Sequence, residues 1–254
     1  FDDEDNPKKK GGLDGDIPAN IGFSNQLRLL DLQNQQISGD IPASFYQSTL
    51  REVDLDGNKL TGVISNDVKN MQNLVFWSAS GNNFDRQVIP DGFGNIMGLK
   101  FFSMRKSKLE GAVPSTFSSL NNMTLMDLSE NDLTGTIDFL ENYNNLEGLA
   151  LSNNKFSGDV PSALWKKTKL TTLILDDNDF TGEISSNINM MVELRTLSLK
   201  NNKMSGPIPA EIGELKKLKS LELDGNDFTG SIPQALCDLA GIEPIVIDKN
   251  TLNC

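Results

Sequence analysis

Ten segments of the chain share one frame, and the frame repeats every 23 to 25 residues. The units begin at Leu27, Leu50, Leu74, Leu99, Met123, Leu146, Leu170, Leu194, Leu218 and Ile242, and we number them coils 1 to 10. A fixed period of this size means stacked supersecondary units, each too small to bury its own apolar face and stable only against its neighbours. The 254 residues therefore read as one elongated solenoid whose work is done by its surface.

Within a unit, positions 4 and 6 are apolar with polar neighbours, as in Leu197-Ser198-Leu199 and Leu221-Glu222-Leu223. Period-two alternation predicts one short strand per coil, buried on one face, and stacking at about 4.8 Å makes these strands a parallel sheet. Position 9 is Asn at residues 58, 82, 131, 154, 178, 202, 226 and 250. An amide that both donates and accepts can satisfy backbone groups where the chain leaves the strand, so these residues predict a ladder. Gln35 and Ser107 stand in that place in coils 1 and 4, where local irregularity or bound water is expected. Position 13 is Gly in nearly every coil, followed by Ile or Val and often Pro, as in Gly158-Asp159-Val160-Pro161 and Gly230-Ser231-Ile232-Pro233. Gly allows a tight turn, and Pro ends strand pairing ahead of a short helical segment such as Ala210–Leu215.

The string L-x-x-L-x-L-x-x-N-x-L-x-G-x-I-P, continuous from Leu13 to Cys254, resembles the plant-type leucine-rich repeat. The resemblance implies an α/β solenoid: a right-handed superhelix with a concave parallel sheet, short second-sheet strands at the G-x-I-P segments and helical turns on the convex side. Its members include ectodomains of receptor-like kinases and receptor-like proteins, and polygalacturonase-inhibiting proteins; between them they bind peptides, steroids, proteins and glycans. The divisions expected are a charged tail (1–12), a half repeat (13–26), nine repeats (27–241) and a capping repeat (242–254). Coil 3 departs from the pattern with an extra residue and Arg86 in the Gly place, so an interruption of the second sheet is expected there. Ser65, Asp138 and Ser185 replace Pro in three other coils, and the paired cysteines that cap the family's N-terminus are absent.

Charge and composition exclude several functions. The net charge of -12 disfavours a nucleic-acid partner, which calls for a basic stripe. The chain has no His, which rules out His-based triads and His-ligated metals. No long apolar run or N-terminal signal peptide is present, and a start at Phe1 suggests a processed or trimmed form. Cys237 and Cys254 sit where the stack must be closed. They read as a terminal disulfide contributing about 3 kcal/mol, formed in an oxidising compartment.

Once the architectural positions are set aside, the outward side chains of the sheet remain. Acidic residues gather at Asp31, Asp54 and Asp56, with Asp127 further on and Asp176, Asp177, Asp224 and Asp248 later, while Arg105, Lys106 and Lys108 form a basic patch in coil 4. Position 3 carries Leu29, Phe76, Phe101 and Leu125 where Thr172, Thr196 and Ser220 stand later in the stack. Phe76 and Phe101 occupy adjacent coils beside Arg105; they are either an exposed hot spot rimmed by charge or rings packed against a flanking loop. Three carboxylates at Asp31, Asp54 and Asp56 suit Ca2+ in chemistry, but without a loop signature no metal or other cofactor is expected. A sequon at Asn122-Met123-Thr124 marks a candidate glycosylation site. The expected function is a non-catalytic, extracellular or cell-surface scaffold for a protein, peptide or glycan, held by Phe76, Phe101, Leu125, Arg105, Lys106, Asp54, Asp56, Asp127 and Asp176. Alternatives are assembly through an uncapped N-terminal edge and inhibition of a wall-degrading enzyme.

Overall fold

In the computed structural model the described residues are 12–239 and the strand Ile245–Val246. Nearly all of the 1–12 tail, the capping residues Ile242 and Asn250, Asp248, and Cys254 of the expected disulfide lie outside them.

Each coil contributes one three-residue strand at positions 3 to 5, from Leu29–Asp31 in coil 1 to Ser220–Glu222 in coil 9. With Ile245–Val246 they form a ten-stranded sheet in sequence order, every pair parallel and in register, as in Phe76↔Phe101↔Leu125. Positions 1, 4 and 6 point inward: Leu50, Val53 and Leu55 have no exposed surface, and their counterparts in coils 3 to 9 are likewise buried. A second run of T-shaped aromatic contacts threads the core through Phe45, Trp77, Phe93, Phe102, Phe117 and Phe139. Such pairs add roughly 0.5–1.5 kcal/mol each beyond burial, so coils 1 to 5 are held by more than aliphatic contacts.

The chain leaves the strand the same way in every described coil. Position 8 has a left-handed backbone at Asn34, Gly57, Gly81, Lys106, Glu130, Asn153, Asp177, Asn201 and Gly225. Asn, Asp and Gly tolerate that region, whereas Lys106 and Glu130 hold it at a cost. The Asn that follows forms the expected ladder. Asn178 Nδ2 donates to Leu151, Leu175 and Asp176 carbonyls while its Oδ1 accepts from Phe156 N. The two odd rungs are bridged directly. Gln35 Oε1 accepts from Leu13 N, and Ser107 Oγ donates to the Ala79 and Arg105 carbonyls. The irregularity falls one residue later, at left-handed Lys108.

Second-sheet strands occur as groups of three, five and two. The first break lies between Lys59–Thr61 of coil 2 and Gln87–Val88 of coil 3, at the irregular unit. Position 13 is left-handed wherever it is Gly, but Arg86 does not adopt that conformation. A side chain bridges the gap instead: Gln87 Oε1 accepts from Ile64 N at 2.8 Å, and Arg86 reaches along the stack to Glu110 and Asp132. A second break, not anticipated from the sequence, precedes Ser205–Pro207, although Lys203 N and Ser205 N still donate across it to the Phe180 and Gly182 carbonyls at 2.8 Å.

The helical part is slight. Among the described residues the coils close through 3-10 turns such as Ala210–Glu214, with a single α-helical turn at Gln234–Cys237, and no helix is long and apolar enough to cross a membrane. Where Pro is missing, Ser65 and Ser185 side chains cap the turn by accepting from Asp67 N and Asn187 N. At the N-terminal end of the stack the core is open, for Leu30 and Leu32 are only half-buried and Phe23 is 76% exposed.

Candidate functional site

The outward row at position 3 is the most apolar strip on the sheet. Phe76 and Phe101 stack nearly parallel, with centroids 4.2 Å apart and planes 12° from each other. Each is half-buried rather than enclosed. Leu125, 40% exposed, continues the strip and lies over Gly148, where an added Cβ would meet its Cδ2 at 2.4 Å. The strip is framed by Glu52 in register with Phe76 on one side and by the bare backbone of Gly148 on the other.

The structure sorts the acidic residues named from the sequence into two kinds. At position 5, Asp31, Asp54 and Asp127 use one oxygen to accept the N–H two residues on, from Gln33, Asp56 and Ser129 at 2.9–3.1 Å. This is the Asx turn that shapes the strand exit. At position 7 the carboxylate reaches the next coil: Asp56 accepts from Ser78 Oγ at 2.7 Å and from Ser80 N, and Asp176 accepts from Lys200 N at 3.0 Å. Ser80 Oγ does the same for Arg105 N. Asp56 and Asp176 thus tie coils together, and burial raises the pKa of both above the ordinary carboxylate value against these stabilising hydrogen bonds. Burial also raises the pKa of Asp54 against the lowering hydrogen bond from Asp56 N, with smaller raising effects from the charges of Asp56 and Asp31. Among the described residues Asp31, Glu52, Asp54 and Asp127 have no ion-pair partner, and no group of three His, Cys, Asp or Glu is placed to hold a metal ion.

The basic patch of coil 4 is partly engaged by an acid of the next coil. Glu130 lies between its two cations, with Arg105 Nε donating to Oε1 at 2.8 Å and Lys106 Nζ 3.9 Å from Oε2. Lys108 Nζ turns to the Asn83 carbonyl. Sequence reasoning passed over Glu130, and also Ser78, Ser80 and Ser103, whose hydroxyls line the floor beside the rings. Their outward positions 5, 7 and 8 were the available signal. Asn122 is exposed, and its Nδ2 donates to the Met97 carbonyl of the preceding coil; it stands away from the strip, between a 3-10 turn and the Leu125–Asp127 strand.

Comparison with known proteins agrees with this geometry. The Leucine Rich Repeat family model matches residues 26–48, 49–71, 145–166, 193–215 and 217–239. The chain is a leucine-rich-repeat solenoid. It is 30% identical over 133 residues to Receptor-like protein 41 of Arabidopsis thaliana, an alignment covering 52% of this chain and 15% of that protein. The leucine-rich-repeat ectodomain of the Arabidopsis receptor kinase HAESA, solved with an N-terminally extended IDA peptide hormone, is similar with a TM-score of 0.86 and 29% identity over 93% of this chain and 44% of that one. The plant peptide hormone receptor RGFR1, solved with RGF2, gives 0.80 and 29% over 95% and 42%. The leucine-rich-repeat solenoid is thus homologous to plant receptor-like proteins and receptor-kinase ectodomains, and it spans only 15–20% of the length of three curated relatives that it matches.

Proposed function

We propose that this solenoid is a non-catalytic recognition module, extracellular or at the cell surface, that holds a peptide or an extended protein segment on its concave sheet. The observation that carries the reading is the stacked pair Phe76–Phe101 with Leu125, half-exposed side by side on a sheet whose outward positions are mostly polar. Apolar side chains kept on a polar surface lose burial energy unless a partner covers them, and aromatic anchors of this kind dominate binding energy at interfaces. Two structural neighbours in which a peptide hormone or hormone partner is bound support the choice of ligand class. Neither assembly through the N-terminal end nor inhibition of a wall-degrading enzyme finds comparable support among the similar proteins.

The test is partner capture from the source tissue with wild-type chain and with the Phe76→Ala/Phe101→Ala variant, quantified by mass spectrometry. Partners held by wild type are lost from the variant, while its folded stability falls by only about 2 kcal/mol. Equal capture by both proteins removes the strip from the binding surface. A stability loss on the scale of a core deletion, roughly 3–5 kcal/mol per Phe, shows the rings to be structural.

A further inference from the structure

The reading above leaves open what chemistry the concave face selects, and the register of the sheet bears on it. Coils 3 and 4, which carry the rings, have Ser78 and Ser103 at position 5; the coils flanking them on either side, 2 and 5, have Asp54 and Asp127 there. Each Asp spends one oxygen on its own Asx turn and has no cation among the described residues. Glu52, exposed and in register with Phe76, adds to the coil 2 side. The adjacent cation Arg105 is already held by Glu130. An apolar centre thus lies between two acidic flanks at position 5, and the nearest exposed cations ahead of the strands, Arg51 and Lys100, stand at position 2.

Distances then fix a spacing. Coils 2 and 5 are three strand steps apart, which at about 4.8 Å per step places Asp54 and Asp127 roughly 14 Å apart. An extended peptide crossing the strands advances about 3.3 Å per residue, so its residues i and i+4 are about 13 Å apart and share a face with i+2. We propose, resting on the concave-face reading, that the ligand is an extended peptide with the pattern basic-x-apolar-x-basic. The central apolar residue lies on the Phe76–Phe101 stack, and an Arg or Lys on each side meets Asp54 and Asp127. Burial and like-charge neighbours that disfavour an ionised Asp54 are relieved by such a cation.

Fluorescence anisotropy with the full chain tests this, using three fluorescein-labelled probes of equal length. The first contains Arg-Gly-Leu-Gly-Arg, the second the same residues as Gly-Arg-Arg-Leu-Gly, and the third has Glu in place of both Arg. The first is expected to bind at least about tenfold more tightly than either other, and Asp54→Asn or Asp127→Asn to weaken it about tenfold, whereas Asp91→Asn, in an exposed 3-10 turn away from the sheet, leaves it unchanged. Equal binding of the reordered probe, indifference to Asp54→Asn and Asp127→Asn, or no binding of the first probe at about 1 mM overturns the proposal. Preference for the Glu probe also overturns it and points instead to Arg51 and Lys100, which stand at position 2 ahead of the strands. The Phe76→Ala/Phe101→Ala variant separates the two levels. If the first probe fails the comparison and this variant abolishes binding of the probe that does bind, the concave-face reading stands and only the charge pattern falls; if the variant changes nothing, both fall.

Discussion

Replacing Asn202 by Ala removes four hydrogen bonds from a buried side chain, but they do not count equally. Nδ2 donates to the carbonyls of Leu175, Leu199 and Lys200 at 3.0–3.1 Å, and Oδ1 accepts from Phe180 N at 3.0 Å. Each carbonyl keeps a second donor: Asn178 Nδ2 on Leu175, Asn226 Nδ2 on Leu199, and Asp177 N on Lys200. Only the Phe180 N–H is orphaned. An unsatisfied buried donor costs about 1–3 kcal/mol, and the three shared bonds add a few tenths to 1 kcal/mol apiece, so the expected loss is about 2–6 kcal/mol. Urea unfolding reads it as a drop in midpoint at constant m-value. Asn202→Asp gives a sharper check, since it retains the acceptor for Phe180 N but sets a negative charge against three carbonyl oxygens. That repulsion raises the folded pKa of the new carboxyl, so its deficit shrinks between pH 7 and pH 5, while that of Asn202→Ala does not. A loss below about 1 kcal/mol for Asn202→Ala, or pH-independence of Asn202→Asp, would refute the ladder as the source of stability.

Asp54 gives a pH prediction of the unusual sign for a carboxylate. Its pKa is raised in the fold, so the native state binds the extra proton and Asp54 contributes less stability as pH rises from 3.8 through the folded value. Asp54→Asn is accordingly expected to raise the melting temperature at pH 7 and to have little effect near pH 3; a loss at pH 7 would contradict this. Gly22→Ala would place a Cβ 1.6 Å from the Ser44 carbonyl oxygen. Because that atom is backbone, the N-terminal coil should loosen, with faster amide exchange there and not in coils 6 to 9; unchanged exchange would show that the coil can shift. Lys106→Asn relieves a left-handed Lys at a position where coils 1, 6 and 8 already carry Asn, and should stabilise by about 0.5–1 kcal/mol. No gain in calorimetry would mean that the contact with Glu130 matters more than the backbone.

Much of this molecule was legible before any coordinates, for a local reason. Leu at positions 1, 4 and 6, Asn at 9 and Gly at 13 each meet the same neighbours in every coil, so one unit's requirements are multiplied along the chain and become visible as a period. The same argument located the first break in the second sheet, since Arg86 cannot replace a left-handed Gly without cost. It did not locate the second, which falls between two coils that both carry the regular Gly. Nor did it show that Ser107 would complete its rung directly. That outcome depends on the distances between coils.

The concave face was legible as a set of residues but not as a surface. Residue type and position placed Phe76, Phe101, Leu125 and the carboxylates on the outward side, because a strand's alternation alone determines which side chains leave the core. Only the stacking of coils decided what they do there. It brought the two rings face to face, set Glu130 between Arg105 and Lys106, and gave Asp56 and Asp176 backbone N–H groups of the next coil to hold. It left Asp54 and Asp127 unpaired on either side of the rings. Those are contacts between residues about one period apart, and their geometry follows from register and twist rather than from any local run of sequence. The sequence by itself determined the solenoid and its outward face; the tertiary structure decided which charges on that face were already paired and which remained for a partner.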